Sequence, residues 1–325
     1  MTEILSLAGS NLLSPIILSF ALGLAAALAR SDLTIPEAVA KGLSIYLLFA
    51  IGFKGGAAVA AHGVGATLLL TVAAGVVLSF ALPLVAYALL RAMTRLSALD
   101  AAAVAAHYGS ISIVTFGAAT SVLESRGIAS EGYMVAVAAA MEAPAILSAL
   151  WLVARGGASG RMEPGLLREI LLNGSIVLLV GSFGIGLATG ERGLAEIAPF
   201  IVAPFKGVLC LFLLDMGLVA GRGLRQSRGA LGGGVVAFGL LMPVVGSLAG
   251  QAFGLAIGLS TGGVVLLMTL AASASYIAVP AAMRVALPEA NPAIYLTLSL
   301  GVTFPFNLTL GIPLYLAVAT MATGG

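Results

Sequence analysis

Ten long apolar runs constrain this chain more than any other feature of its sequence. Each is long enough to cross the hydrocarbon core of a bilayer as an α-helix, which takes about 20 predominantly apolar residues. The approximate bounds are 10–29, 36–60, 63–91, 97–122, 130–154, 166–189, 196–220, 230–258, 262–286 and 291–319. We therefore predict an all-α, multi-pass integral membrane protein with about ten transmembrane helices.

The composition excludes a soluble globular protein. Of the 325 residues, 60% are hydrophobic and 9% are charged, whereas soluble domains carry about 25% charged residues. Only a lipid bilayer can cover so much apolar surface. We interpret the first run as a spanning helix and not as a cleavable signal peptide, because Glu3 precedes it without a Lys or Arg.

Loop charges predict the orientation in the membrane. With the N-terminus outside, eleven of the 15 Lys and Arg residues fall on the inward side and four on the outward side. Cytoplasmic loops carry an excess of these residues, so we predict that both termini lie outside the cell (inner) membrane. The inward set is Arg30, Lys41, Arg91, Arg95, Arg155, Arg161, Arg168, Arg222, Arg225, Arg228 and Arg284, and the outward set is Lys54, Arg126, Arg192 and Lys206.

Short motifs recur in the two halves of the chain, in the same order and 160 to 165 positions apart. Each half has five predicted helices, so the second must be inverted relative to the first, as in many secondary transporters. We predict repeats at 1–155 and 166–325, joined by a cytoplasmic linker at 156–165. The alternative explanation of these matches is a packing pattern of small residues that many membrane helices share. The matches pair Ser19-Phe20 with Ser182-Phe183, Gly52 and Gly56 with Gly217 and Gly221, Pro83 with Pro243, Ser110 and Ser112 with Ser273 and Ser275, and Pro144 with Pro305.

Several classes of function lack their sequence signals. His62 and His107 are the only histidines and Cys210 is the only cysteine, so no cluster of metal ligands is predicted. The sequence contains no phosphate-binding P-loop, no dinucleotide-binding fingerprint in a strand–turn–helix context, and no basic cluster with interleaved aromatic residues. We predict neither an enzyme nor a nucleic-acid-binding protein. Transport driven by an ion gradient fits this sequence better.

Two Ser-x-Ser segments are the candidate substrate site. Each lies midway along the fourth predicted helix of its half. Their hydroxyl groups can donate to an anion, and a helix broken at such a point directs backbone N–H groups toward an anion. The alternative to a substrate site is that these serine hydroxyls only form hydrogen bonds with carbonyls of their own helix. The candidate substrate-binding residues are Gly109, Ser110, Ser112, Thr115, Ser273, Ala274, Ser275 and Tyr276.

Two acidic residues inside predicted helices are candidate sodium ligands. A charge at the centre of a bilayer costs at least about 2.5 kcal/mol, so Glu142 and Asp215 should face a partner or a cavity. Carboxylate, amide and hydroxyl oxygens suit a hard cation, and Thr303 and Asn307 match the Glu142 region in the repeat. A buried ion pair or a hydrogen-bonded clamp between helices is the alternative for each acid.

The segments AHYGSISIVTF at 106–116 and ASASYIAVPAAMR at 272–284 resemble those of the sodium-dependent bicarbonate transporter family (SbtA-type). The resemblance extends over nearly the whole chain. It implies ten helices in two inverted halves, core and gate subdomains that move relative to each other, a homotrimer, and sodium-coupled uptake of bicarbonate. It also implies a bicarbonate site near Ser110, Ser112, Ser273 and Ser275.

The linker departs from the pattern of the family. Cyanobacterial members have a longer hydrophilic linker and are regulated by a small PII-like protein that binds adenine nucleotides. Here the linker shrinks to about residues 155–168, which weighs against this partner. The open alternatives are a sodium symporter of another small anion, a cation/proton antiporter, and a channel or receptor subunit.

Overall fold

A computed structural model describes residues 13–63, 65–155, 168, 172, 174–226, 232–277, 279–280, 282–283 and 287–324. The predicted linker at 156–165 lies outside these residues. Within them, all regular secondary structure is helical. The first half has α1 (Pro15–Leu28), α2 (Glu37–His62), α3 (Ala66–Met93), α4 (Ala98–His107), α5 (Ile113–Ser125), α6 (Met134–Ala140) and α7 (Pro144–Arg155). The second has α8 (Gly174–Ile201), α9 (Phe205–Gln226), α10 (Gly233–Ile257), α11 (Thr261–Ala272) and α12 (Pro292–Thr323).

Seven spans of the described chain are long and apolar enough to cross a membrane: α2, α3, the α6–α7 segment, α8, α9, α10 and α12. The helices α1, α4, α5 and α11 are shorter but also apolar. Serine begins each of these four helices, because its hydroxyl accepts a hydrogen bond from a backbone N–H of the first turn. The capping residues are Ser14, Ser97, Ser112 and Ser260. The all-helical membrane fold is thereby confirmed.

The helices pack as two groups. In one group, α1 crosses α9 and α2 crosses α8, and these are the most extensive contacts in the described chain. The other group holds α3 to α7 and α10 to α12. Glycines allow both crossings to be close: a Cβ at Gly56 would collide with the Phe183 carbonyl, and one at Gly217 with the Phe20 carbonyl. Small residues at crossings are typical of membrane helices.

The glycine contacts change one detail of the predicted repeat. Gly56 meets Phe183 as Gly217 meets Phe20, so the packing matches Gly56 with Gly217. The sequence had matched Gly217 with Gly52, one helical turn away. Small residues are so frequent in these helices that the sequence alone did not determine which glycine of one half corresponds to which glycine of the other.

Several helix boundaries differ from the predicted ones. The fourth and ninth predicted helices are interrupted, between His107 and Ile113 and after Ala272. Glu142, predicted to lie mid-helix, is in the turn between α6 and α7. The predicted boundary near 190–195 is present, because the backbone leaves helical geometry at Gly190 and a second helical piece then runs to Ile201 within α8. Gly190 has a φ of 60°, which glycine adopts without steric cost.

The crossing of α2 and α8 gives a test of this packing. We expect Gly56→Ala to lower stability by about 1–3 kcal/mol, because the added methyl meets backbone atoms that cannot move away. Gly42→Ala on the same helix is the matched control, since a Cβ there meets nothing within 4 Å. Thermal unfolding of both variants in detergent measures the difference. Equal unfolding midpoints would contradict the predicted crossing.

Candidate functional site

The two Ser-x-Ser segments lie at the two helix interruptions. Residues 108–112 connect α4 to α5, and residues 273–277 follow α11 in non-helical conformation. Ser110, Ser112, Ser273 and Ser275 are each at most 4% exposed. The predicted breaks therefore exist, and the polar side chains at them are enclosed by protein.

Hydrogen bonds connect the two interruptions directly. The backbone N–H of Ser112 donates to Ser273 Oγ at 3.0 Å, and the N–H of Ser275 donates to the His107 carbonyl at 2.8 Å. Ser112 Oγ also donates to Tyr276 Oη at 3.1 Å. Each interruption thus supplies groups that the other one binds, and the two segments form one polar cluster.

Ser112 organises the start of α5. Its hydroxyl oxygen accepts from the Thr115 N–H at 3.2 Å and from Thr115 Oγ1 at 2.9 Å. The first turn of α5 therefore begins inside the cluster, with the positive end of its dipole directed at the interruption. Four of the predicted substrate residues, Ser112, Thr115, Ser273 and Tyr276, are joined by these bonds.

Glu142 contacts the same cluster from the turn between α6 and α7. Ser110 Oγ donates to Glu142 Oε2 at 2.9 Å, and Glu142 is 5% exposed. The side-chain ion pairs within the described chain are Lys54–Glu124 and Arg192–Glu196, so Glu142 has no basic partner there. An ionised carboxylate buried in this way is costly unless a cation joins it.

Thr303 and Asn307 lie in two π-helical segments of α12, at Ser299–Thr303 and Asn307–Gly311. π-helical turns are frequent at functional sites. Asn307 Nδ2 donates to the Ala272 carbonyl at 2.9 Å, which is the last carbonyl of α11. Thr303 Oγ1 donates to the Gly239 carbonyl at 2.8 Å and bonds to Tyr108 Oη at 2.6 Å. Both residues support the interruptions from the side of α12.

Asp215, the remaining predicted sodium ligand, lies on α9, which also packs against the Ser299–Thr303 segment of α12. Asp215 is 6% exposed on α9, the helix whose main contacts are with α1, and no hydrogen bond joins it to the described site residues. Gly109 lies in the first interruption, where a Cβ would collide with Pro83 of α3. Ala274, between the two serines, is 3% exposed.

Sequence reasoning missed three supporting groups. Tyr315 Oη donates to Asn307 Oδ1 at 2.7 Å, Ser79 Oγ donates to the Met141 carbonyl at 2.6 Å, and the Gly239 carbonyl accepts from Thr303. Tyr315 and Ser79 are fully buried, but each is one of several polar residues on its helix. Nothing in the sequence distinguished them from the others.

The chemistry of the cluster suits small ions. It combines hydroxyl donors, a helix N-terminus and one carboxylate. Within the described part of the chain, no group of three or more His, Cys, Asp or Glu residues comes together. Oxygen groups of this kind bind hard cations and oxyanions.

A comparison with known families gives one match. The family model described as "Na+-dependent bicarbonate transporter superfamily" matches residues 15–320. This range includes every residue of the cluster. No curated protein matches the sequence.

Asn307 gives a test of how the interruption after α11 is supported. We expect Asn307→Leu to lower stability by about 1–3 kcal/mol or more, because the Ala272 carbonyl and the Tyr315 hydroxyl lose their partner in a buried site. Thr309→Val is the matched control, since that hydroxyl bonds only to the Pro305 carbonyl of its own helix. Thermal unfolding in detergent compares the two variants, and an unchanged Asn307→Leu midpoint would refute the supporting role.

Proposed function

The chain belongs to the Na+-dependent bicarbonate transporter superfamily, and from this premise we propose that it carries bicarbonate into the cell by sodium-coupled symport with alternating access. The family is one of transporters and not of enzymes. The observation that carries the proposal is the buried cluster at two bonded helix interruptions, with a carboxylate that has no basic partner among the described residues.

Bicarbonate binds, in this proposal, between the two Ser-x-Ser segments. Each serine hydroxyl has one proton, and those of Ser110, Ser112 and Ser273 donate here to Glu142, Tyr276 and the Leu270 carbonyl. In the proposal these protons turn toward the bicarbonate oxygens when the anion binds. The Ser275 hydroxyl is a further donor, and Thr115 and Tyr276 complete the polar lining. Hydrogen bonds to a charged group contribute about 1.5–3 kcal/mol each. Burial of all four serines supports this assignment, because water does not compete there with the anion. Gly109 and Ala274 line the interruptions without polar side chains.

Sodium binds, in this proposal, beside Glu142. Its carboxylate is the buried negative charge of the cluster, and the Ser110 hydroxyl at 2.9 Å is a neighbouring oxygen. Asn307 and Thr303 supply further oxygens on α12, although each already holds a hydrogen bond from a tyrosine. Asp215 remains a predicted ligand without a contact to this group.

Charge explains why the two ions travel together. Moving one bicarbonate inward against an inside-negative potential costs about 2.3 kcal/mol per 100 mV. One sodium ion that moves with it cancels this cost, and the sodium concentration gradient then drives uptake. Sodium bound near Glu142 also removes the repulsion that this carboxylate exerts on an anion.

The two packing groups provide a framework for alternating access. We assign α1, α2, α8 and α9 as the gate and the remaining helices as the core, which contains the cluster. The symmetric crossings of α1 with α9 and of α2 with α8 support two inverted repeats, 1–155 and 166–325. A homotrimer in the inner membrane, with both termini outside, completes the proposal. We do not include a PII-like regulator in the proposal, because the linker is short.

Uptake of labelled bicarbonate into proteoliposomes tests the function. We expect saturable uptake that needs an inward sodium gradient, and a KM at least about 10-fold higher for Ser110→Ala and Ser273→Ala, because each variant loses a donor to the anion. Ser148→Ala is the matched control, since Ser148 is buried but has no hydrogen-bond partner among the described residues.

Other outcomes separate the alternatives. If the protein takes up a different small anion and does not take up bicarbonate, it is a sodium symporter of that anion with the same architecture. A sodium-driven pH change without added anion would identify a cation/proton antiporter. Normal KM values in both serine variants would refute the substrate site while leaving the symporter intact.

Glu142 and Asp215 can be distinguished as sodium ligands. We expect Glu142→Gln to abolish sodium-stimulated uptake, because the amide keeps the shape and the bond to Ser110 but lacks the charge. Asp215→Asn should retain it, since Asp215 forms no hydrogen bond with the described residues of the cluster. Uptake measured against sodium concentration gives the comparison, and the reverse result would move the sodium site to α9.

A further inference from the structure

One ion pair connects the gate to the core. Lys54 Nζ on the gate helix α2 lies 3.2 Å from Glu124 Oε1 on the core helix α5. The other ion pair within the described chain, Arg192–Glu196, joins two residues of α8 and therefore lies inside the gate. The Lys54–Glu124 pair thus has its two members in different packing groups, on the side of the protein predicted to lie outside.

The gate holds this lysine from two of its helices. Lys54 belongs to α2, and its ammonium also lies over the ring of Phe205, 5.2 Å from the ring centroid. A cation within about 6 Å of an aromatic face is attracted to it. Phe205 is the first residue of α9 and is 6% exposed. The ammonium is therefore supported by the gate at the position from which it reaches the core.

The ion pair lies at a gap between the gate and the core. A cavity of about 180 Å³ separates them here, and both Lys54 and Glu124 line it. Ile51 and Phe205 belong to its gate wall, and Thr120 and Leu266 belong to its core wall. Because the two walls are not packed against each other at the cavity, the ion pair is a polar bridge across space that the gate and the core leave open.

Glu124 is the available carboxylate on the core wall. Glu131 also lines the cavity, but its two oxygens accept from the Ser260 N–H at 2.7 Å and from the Ser260 hydroxyl at 3.0 Å. Glu124 lies in the last turn of α5, where the negative end of the helix dipole disfavours a carboxylate. The ammonium of Lys54 offsets this cost, so Glu124 is more stable when the gate and the core are close together.

The helix α5 connects this ion pair to the serine cluster. Ser112 caps its first turn, and Glu124 follows twelve residues later, about 18 Å away at 1.5 Å per residue. The helix is regular from Ile113 to Ser125. A movement of the cluster relative to the gate therefore also moves Glu124 relative to Lys54.

We propose that Lys54 and Glu124 form an outer latch, which holds the gate and the core together while the four serines are buried and which opens when the cluster becomes accessible from outside. The inference rests on the proposed function for the relative motion of gate and core. The two side chains are 28% and 45% exposed. A pair this exposed changes an equilibrium about 1.5- to 5-fold, which suits a contact that breaks in every transport cycle.

Cys210 reports whether the gate and the core separate. It is the sole cysteine of the chain, lies partly buried on the gate helix α9, and lines a cavity of about 620 Å³ that α5 and α12 of the core also border. Separation on the outer side should expose it further. The rate at which an uncharged, water-soluble maleimide labels Cys210 in lipid nanodiscs, where both faces are accessible, measures this exposure.

We expect Lys54→Gln/Glu124→Gln to be labelled about 1.5- to 5-fold faster than the wild type, because the outer latch is lost while the net local charge is unchanged. The reversed pair, Lys54→Glu/Glu124→Lys, should be labelled at a rate closer to that of the wild type. A high concentration of choline chloride should raise the wild-type rate by screening, but not the rate of the uncharged pair. Glu196→Gln is the matched control, since it breaks an ion pair within one gate helix.

Three results would overturn the proposal: an unchanged rate in the uncharged pair, a reversed pair labelled as fast as the uncharged one, or an equal rise in Glu196→Gln. If the uncharged pair does not fold, as judged by thermal unfolding in detergent, the salt dependence of the wild type decides, and its absence refutes the outer latch. Labelling does not depend on uptake. The expected rates without bicarbonate uptake would therefore reject the proposed function alone, whereas normal uptake with unchanged labelling would reject the outer latch alone.

Discussion

The structure depends on how the protein satisfies backbone groups that lose their helical partners inside the membrane. Hydrocarbon offers no hydrogen bonds, so each freed N–H or carbonyl needs a partner from the protein. The two interruptions solve this reciprocally: the His107 carbonyl accepts from the N–H of Ser275, and the N–H of Ser112 donates to Ser273 Oγ. Asn307 completes the set at the Ala272 carbonyl. The polar groups of the proposed binding site are thus the same groups that allow the helices to break.

The sequence predicted the location of this cluster because polar residues are conspicuous in a chain with 9% charged residues. Both Ser-x-Ser segments and Glu142 were recognised in this way, and the structure brings them together. It did not predict which atoms bond, since those pairings join residues that are far apart in sequence. Tyr315 was missed for this reason: its hydroxyl acts only through Asn307. Asp215 had the same sequence signal as Glu142, and only the hydrogen bond from Ser110 distinguishes Glu142 from it in the structure.

Helix boundaries and register were harder to predict than helix existence. Hydropathy is nearly uniform along these helices, so it does not mark the turn that contains Glu142. The helix crossings at glycines were equally hard to predict from sequence. A glycine is informative only when its neighbour is known, as for Gly56 against the Phe183 carbonyl, whereas Gly42 on the same helix meets nothing.

Charge at the cluster favours one order of events in the proposed mechanism. The cluster contains the carboxylate of Glu142, and an ionised carboxylate at this position repels an anion. In the proposal, sodium bound beside Glu142 removes that repulsion, so the anion binds after the cation. Coupling of this kind needs no long-range signal, because both ions act on a single buried carboxylate.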